Sequence, residues 1–167
     1  MQIRLLTADD DPLEISRIYE QSWKHAYKGI IPQYFLDSIP QGKWVQSFDT
    51  HGRKHFVCEL DGKLVGTASI CASRWEKYKD CGEIISIYFL PEYIGKGLGG
   101  KLLKKCVDEL TEQGYERIIL WVLEENLSAR RFYEKNGFVC TGQYREDNIG
   151  GKPLREVLYA SEPKAAK

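Results

Sequence analysis

Apolar residues recur along this chain with two different periods, and the changes of period divide it into elements. Ile3 to Leu6 reads as a short strand, ended by the polar run from Thr7 to Asp11 before Pro12. From about Pro12 to Lys24, Leu13, Ile15, Ile18, Tyr19 and Trp23 keep near-helical spacing. An aromatic loop from Trp23 to Pro32 follows, and Pro32 to Asp37 and Gln41 to Phe48 predict two short helices. Phe56 to Leu60 and Leu64 to Ala72 read as strands joined at Asp61-Gly62, a strong hairpin signal. Glu83 to Leu90 is another strand. Leu98 to Gln113 repeats Leu98, Leu102, Cys106 and Leu110 every fourth residue, as a helix does, until Gly114 stops it. Arg117 to Leu123 predicts a strand, residues 126 to 136 a helix, and Phe138 to Tyr144 and Pro153 to Ala160 two closing strands.

That order is mixed α/β. The hairpin makes the first part antiparallel, whereas the strand–helix–strand unit from 83 to 123 requires a parallel pair with a right-handed crossover. A dinucleotide-binding fold would repeat such crossovers, and 167 residues leave no room for them. The length predicts one domain over residues 1–160 with a frayed tail over 161–167. No internal repeat, low-complexity segment or interdomain linker interrupts it.

Formal net charge is zero. Bulk electrostatic binding of nucleic acid or of an anionic membrane is therefore not expected. No apolar run approaches the length of a membrane span, and Met1 to Leu6 lacks the long apolar core of a signal peptide. The five cysteines, Cys58, Cys71, Cys81, Cys106 and Cys140, are odd in number and form no C-x-x-C pair. Free thiols in a reducing cytoplasm fit that pattern, and no metal site is expected from it or from His25, His51 and His55.

The chemistry concentrates in Tyr88-Phe89-Leu90-Pro91-Glu92-Tyr93-Ile94-Gly95-Lys96-Gly97-Leu98-Gly99-Gly100. Glycines at the mouth of a helix let backbone N–H groups converge, and the helix N-terminus adds partial positive charge, so the place suits a phosphate or pyrophosphate. Gly95, Gly97 and Gly100 match G-x-G-x-x-G literally, with Glu124 further on, but Pro91 to Ile94 separate them from the strand end. Gly95 to Lys101 imitate a P-loop, yet Leu102 stands where a Mg²⁺-binding hydroxyl is needed. A plain glycine-rich helix cap is the bland alternative.

A second segment narrows the choice. Asn126-Leu127-Ser128-Ala129-Arg130-Arg131-Phe132-Tyr133-Glu134-Lys135-Asn136-Gly137-Phe138 follows an apolar strand, with Asn126 a good N-cap and Gly137 a good C′ residue. Asn126, Ala129, Arg130 and Tyr133 share one helical face, with Asn126 and Tyr133 about 10 Å apart along the axis. Together the two segments resemble the GCN5-related N-acetyltransferases. That family's pattern is Arg/Gln-x-x-Gly-x-Gly/Ala, then Asn-x-x-Ala-x-x-x-Tyr-x-x-x-Gly-Phe. The second match is complete; the first departs at Ile94. The resemblance is strong over about residues 82–140.

The resemblance implies a mostly antiparallel twisted sheet with helices on both faces and a splayed parallel strand pair that admits an acyl-CoA. It implies transfer of an acetyl group from acetyl-CoA to an amine of a small molecule or peptide. The backbone of Gly95, Lys96, Gly97, Leu98, Gly99 and Gly100 would bind the pyrophosphate. Ile87, Tyr88 and Phe89 would pair with the pantetheine amides, and Asn126, Arg130 and Tyr133 would face the cofactor. A primary amine has a pKa near 10, so only about one in a thousand is neutral at pH 7 and a base must take its proton. The departing thiolate needs a proton in return. Tyr133 occupies the family's general-acid position, and Glu83 the position of a glutamate base in some members. Other members place a glutamate five residues before the motif asparagine, where this chain has Trp121. Trp23 and Tyr27 lie where the family covers its acceptor, with Tyr34, Phe35 and His25 nearby. A non-catalytic acyl-CoA-binding sensor or assembly module is the second reading, and a nicotinamide-binding protein a distant third. The acceptor's identity and a homodimer stay open.

Overall fold

A computed structural model describes residues 1–161. Its strands are β1 (Gln2–Leu5), β2 (Arg53–Leu60), β3 (Lys63–Ala72), β4 (Gly82–Phe89), β5 (Ile118–Leu123), β6 (Phe138–Ile149) and β7 (Lys152–Ser161). Its α-helices are α1 (Pro12–Ala26), α2 (Gln33–Asp37), α3 (Leu98–Glu112) and α4 (Leu127–Lys135). The strands form one sheet in the order β1-β2-β3-β4-β5-β7-β6. Every neighbouring pair is antiparallel except β4 and β5.

Local chemistry explains most boundaries. The Asp11 carboxylate accepts from the Leu13 N–H at 2.9 Å and caps α1, and the Asn126 side chain accepts from the Ala129 N–H at 3.2 Å and caps α4. α1 runs two residues past Lys24, and the Tyr27 N–H closes it on the Trp23 carbonyl. The helix expected over Gln41–Phe48 is instead a 3₁₀ turn over Val45–Asp49. The closing hairpin is longer than its apolar pattern, because polar residues continue both strands to a turn at Gly150-Gly151. Ser161, expected in the frayed tail, belongs to β7: it faces Phe138, and its Oγ accepts from the Ile118 N–H at 3.0 Å. Residues 162–167 of that tail lie outside the described residues.

The helices cover both faces. Leu102, Leu103, Cys106 and Leu110 of α3 and Ala129, Phe132 and Tyr133 of α4 pack on Ile84, Phe89, Leu120 and Tyr159. On the opposite face, Ile15, Ile18 and Tyr19 of α1 meet Val57, Leu64 and Leu90. Beside them Ile31, Leu36 and Ile39 cover Leu123 and Leu154. All five cysteines are free thiols. No helix among the described residues is long and apolar enough to cross a membrane.

One irregularity in this sheet positions the site. β4 and β5 pair only at Gly82–Ile118 and Glu83–Ile119 and then part. On β4's other side Ser69 faces Ser86 while Ile70 faces Ile84, so Ile85 is an extra, unpaired residue. A bulge of this kind bends its strand and raises the local twist, which carries β4 away from β5. Gly66 of β3 steadies the far end of β4. A Cβ there would lie 2.3 Å from the Phe89 ring, so only glycine lets that ring lie against the β3 backbone.

Candidate active site

The gap between β4 and β5 opens a cavity of about 990 Å³ lined from both faces of the sheet. Phe132 and Tyr133 of α4 border it on one side, and Trp23, Tyr27 and Trp44 on the other.

On the α3–α4 side the lining combines the open edge of β4 and the glycine turn with side chains of α4. β4 pairs with β3 along one edge, but from Ile85 to Phe89 its other edge has no strand partner. Those N–H and C=O groups suit a ligand that carries amides. β4 leads through a short 3₁₀ turn, Pro91–Tyr93, into Gly95 and Gly97, at φ 79° and 77°. A Cβ on either would meet nothing within 4 Å. Positive φ, rather than crowding, is what demands glycine there, and the turn opens α3 at Gly97, where the first N–H groups of the helix lack intrahelical partners. Gly99 and Gly100 also line it. The loop and the open strand edge thus fit a phosphate joined to an amide chain.

The other expected donor-side residues divide. Ile87, Tyr88, Phe89, Asn126 and Tyr133 line the cavity. The Asn126 Oδ1 is engaged in the helix cap, which leaves its Nδ2 for a ligand. Lys96 extends over the Tyr93 ring, 5.0 Å from its centroid, and Leu98 is packed in the core, so neither side chain lines the cavity. Arg130 is a correction. Its Nε donates to the Tyr159 hydroxyl at 3.0 Å and its Nη1 to the Glu124 carbonyl at 3.2 Å. The Tyr159 hydroxyl in turn donates to Glu134 at 2.6 Å. Arg130 therefore ties α4 to β7 and does not line the cavity.

Tyr133 packs its ring near Phe132 and Phe138 and makes no hydroxyl hydrogen bond among the described residues. Burial, then the neighbouring Tyr88 and Cys106, hold its pKa well above the ordinary phenol value. It is protonated at neutral pH, the state an acid must start from.

Glu83 is a second correction. It is 1% exposed and does not line the cavity. Burial alone would raise its pKa, but Arg74 reverses that and the net shift is downward. The Arg74 Nη2 donates to Oε1 at 2.7 Å, Arg74 Nε and backbone N–H donate to Oε2 at 3.1 and 3.0 Å, and Trp75 Nε1 donates to Oε1 at 3.2 Å. Four hydrogen bonds thus hold this carboxylate away from the cavity.

The acceptor side rests on side chains. Trp23 donates from Nε1 to the Tyr88 hydroxyl at 3.1 Å and stands edge-on to Tyr27 at 4.9 Å. Burial pushes the Tyr27 phenol up to about 12. His25 borders the cavity, whereas Tyr34 is exposed and its hydroxyl donates to the Gly150 carbonyl. Glu156 of β7, opposite Leu123, is the cavity's carboxylate. Burial raises its pKa above the ordinary glutamate value in spite of the ion pair with Arg145. Arg145 stacks on Trp75 and Trp121, 4.6 and 5.5 Å from their centroids. Trp121, in the place where a family glutamate can stand, lines the cavity with a buried Nε1 that has no partner among the described residues. Sequence reasoning passed over Glu156 because β7 read only as a closing strand. Its register against β5 is the missing signal.

A family model described as the acetyltransferase (GNAT) family matches residues 14–138. The chain belongs to that family. An N-acetyltransferase of Archaeoglobus fulgidus is 36% identical over 80% of this chain and 89% of its own. One of Bacillus subtilis is 30% identical over 89% of this chain and 86% of its own. The fold is shared with the PaiA N-acetyltransferase of Thermoplasma acidophilum, solved in complex with coenzyme A, at a TM-score of 0.70 and 19% identity, covering 97% of this chain and 99% of that one. This GNAT protein is an acetyltransferase enzyme with the family's mixed sheet. Among its described residues no group of three or more His, Cys, Asp or Glu could hold a metal ion.

Proposed function

We propose that the chain transfers an acetyl group from acetyl-CoA to an amine of a small molecule or peptide by direct attack on the thioester. The observation that carries this reading is the unpaired β4 edge, continuous with the glycine turn and ending beside the Tyr133 phenol in one cavity. When bound, acetyl-CoA supplies an activated acyl carbon, and transfer makes the N–C bond as the C–S bond breaks.

Each chain residue has one task in this scheme. The backbone of residues 95–100 holds the pyrophosphate. The β4 edge at Ile87, Tyr88 and Phe89 pairs with the pantetheine amides, and the Asn126 side chain adds a donor. Tyr133 gives its hydroxyl proton to the departing sulfur and regains one from solvent. Glu156 draws the protonated amine into the cleft and takes, directly or through a water, the proton whose loss frees the nitrogen lone pair; it passes that proton to solvent and so can take the second, which the nitrogen sheds after attack. Its raised pKa suits that task better than the lowered pKa of Glu83, since a base is most useful near the working pH. Trp23 and Tyr27 give the amine an aromatic wall.

The test is to mix the protein with acetyl-CoA and a panel of amines and to follow free thiol release. Amine-dependent release with acetylated product supports the reading. Tight acetyl-CoA binding without transfer to any amine would favour a non-catalytic acyl-CoA sensor instead.

A further inference from the structure

Across the cavity from Glu156, at its β2–β3 end, lies a second polar cluster that acetyl transfer itself does not require. His55 faces Ser69 across β2 and β3, and Ser69 faces Ser86 across β3 and β4. The row crosses the sheet on the α1 face, starting beside the Ile85 bulge. At ordinary strand spacing it spans about 10 Å. Tyr19 closes it from above, its hydroxyl 3.2 Å from the Ser86 Oγ. Arg53, two residues before His55, borders the same cavity, as do His55, Ser69 and Ser86.

His55 is 6% exposed and Ser69 2%, yet neither ring nitrogen of His55 nor the Ser69 Oγ has a hydrogen-bond partner among the described residues. The Ser47 backbone is close enough to act on the ring but makes no well-formed bond to it. Three unpartnered polar atoms in one small region are costly in a folded chain, and each asks for a reason. Burial, then the Arg53 charge, lower the His55 pKa, so the ring is neutral at pH 7 and offers one N–H donor. Arg53 forms no ion pair among the described residues. Its charge acts on Tyr19, His55 and Cys71. Nearby Glu83 is neutralised by Arg74. Glu156, which pairs with Arg145, borders the cleft from β7, and at the β2–β3 end stands a guanidinium with no ion pair among the described residues, beside two buried donors.

We infer that Arg53, His55 and Ser69 bind an anionic group, a carboxylate or a phosphonate, carried several bonds from the acceptor nitrogen. The acceptor is then an amine with its own anion, not a polyamine, whose second cation would meet Arg53. This inference rests on the amine-acetylation reading of the same cavity.

Two measurements test it. The first compares acceptors that differ in the anion: γ-aminobutyrate against propylamine, ε-aminohexanoate against pentylamine, and 3-aminopropylphosphonate against propylamine. Charge-assisted hydrogen bonds predict a 10- to 100-fold higher kcat/KM for the anionic member, set mainly by the acceptor's KM. The phosphonate pair tells which anion is preferred. Arg53→Gln should bring the ratio toward one, and Ser69→Ala should lower it in part, which keeps the test decisive if one variant folds poorly. The second measurement titrates butyrate, which cannot be acetylated, and follows the His55 ring resonances by NMR. A shift in the wild type that is absent in Arg53→Gln supports the anion site even if no amine is acetylated, a result that would sink only the transferase chemistry. Transfer with ratios near one, or an anion preference that survives Arg53→Gln, overturns the anion site and leaves the acetyltransferase reading standing.

Discussion

The two halves of the cavity are built from different materials. The α3–α4 half adds to the side chains of α4 a stretch of backbone: an open strand edge, two glycines at positive φ and the N-terminus of α3. The α1–α2 half presents side chains gathered from distant parts of the chain, with Trp23 and Tyr27 near α1, Arg53, His55 and Ser69 on β2 and β3, and Trp121 and Glu156 on β5 and β7. Backbone recognition tolerates change at most side chains as long as the glycines and the turn remain. Recognition by side chains changes with a single substitution. A fold that keeps one donor and accepts many acceptors would separate the two in this way, with Tyr133 standing where they meet.

The sharpest break should come at that junction. Tyr133→Phe keeps the ring and its packing and removes only the proton donor. Positioned general acids contribute about 10²–10⁴-fold. kcat should fall by a factor in that range with acetyl-CoA affinity unchanged. Where product release limits turnover, the fall should appear in a single-turnover experiment. Wild-type single-turnover rates would reduce Tyr133 to a packed core residue.

The next largest effect should belong to the acceptor half alone. Glu156→Gln should lower kcat/KM for the amine by about 10²-fold and leave the acetyl-CoA Kd untouched. The pH profile makes the case specific. A base works only when deprotonated, so activity falls as pH drops through its pKa. Burial raises the Glu156 pKa, which places that acidic limb above the ordinary glutamate range. The limb should vanish in Glu156→Gln, and a variant that kept it would point to another base.

The donor half answers to Gly97→Asp. An aspartate pays a backbone cost at the positive φ of Gly97, but its Cβ has room, and Asp and Asn enter the left-handed region more readily than other side chains, so the fold should survive. The carboxylate would stand beside the bound phosphates and weaken acetyl-CoA by about 10- to 100-fold in calorimetry. Gly97→Asn carries the same backbone cost without the charge and should lose far less. Equal losses in the two variants would mean strain, not charge, and would argue against a phosphate there.

Glu83→Gln should have the smallest kinetic effect, because that carboxylate belongs to neither half. Stability should drop by about 1–3 kcal/mol as Arg74 and Trp75 lose a charged acceptor. The folded pKa is lowered, so the stabilisation is present above the unfolded glutamate pKa and is lost as pH falls through the folded one. The variant's melting temperature should therefore depend less steeply on acid pH than the wild type's. A turnover number per folded molecule reduced as far as in Glu156→Gln would restore Glu83 as the base.

The sequence by itself determined much of the donor half. Gly95 and Gly97, the Asn126 cap and the Ala129–Tyr133 spacing act over a few neighbouring residues, and local steric and helical rules suffice to read them. Alternation and the Asp61-Gly62 turn also foretold the hairpin and the mixed sheet. Tertiary structure alone decided the rest. The Ile85 bulge depends on how β4 registers against β3, and strand pairing is a non-local choice that Ile84-Ile85-Ser86 do not encode by themselves. Glu83 and Glu156 are both strand glutamates paired with an arginine; Glu83 is closed in with Arg74 and Trp75, and Glu156, beside Arg145, borders the cavity. Arg130 shares a helical face with Tyr133, yet its longer side chain reaches Tyr159 instead of a ligand. A carboxylate or guanidinium takes its role from the charges and solvent around it, and that surrounding exists only once the chain has folded.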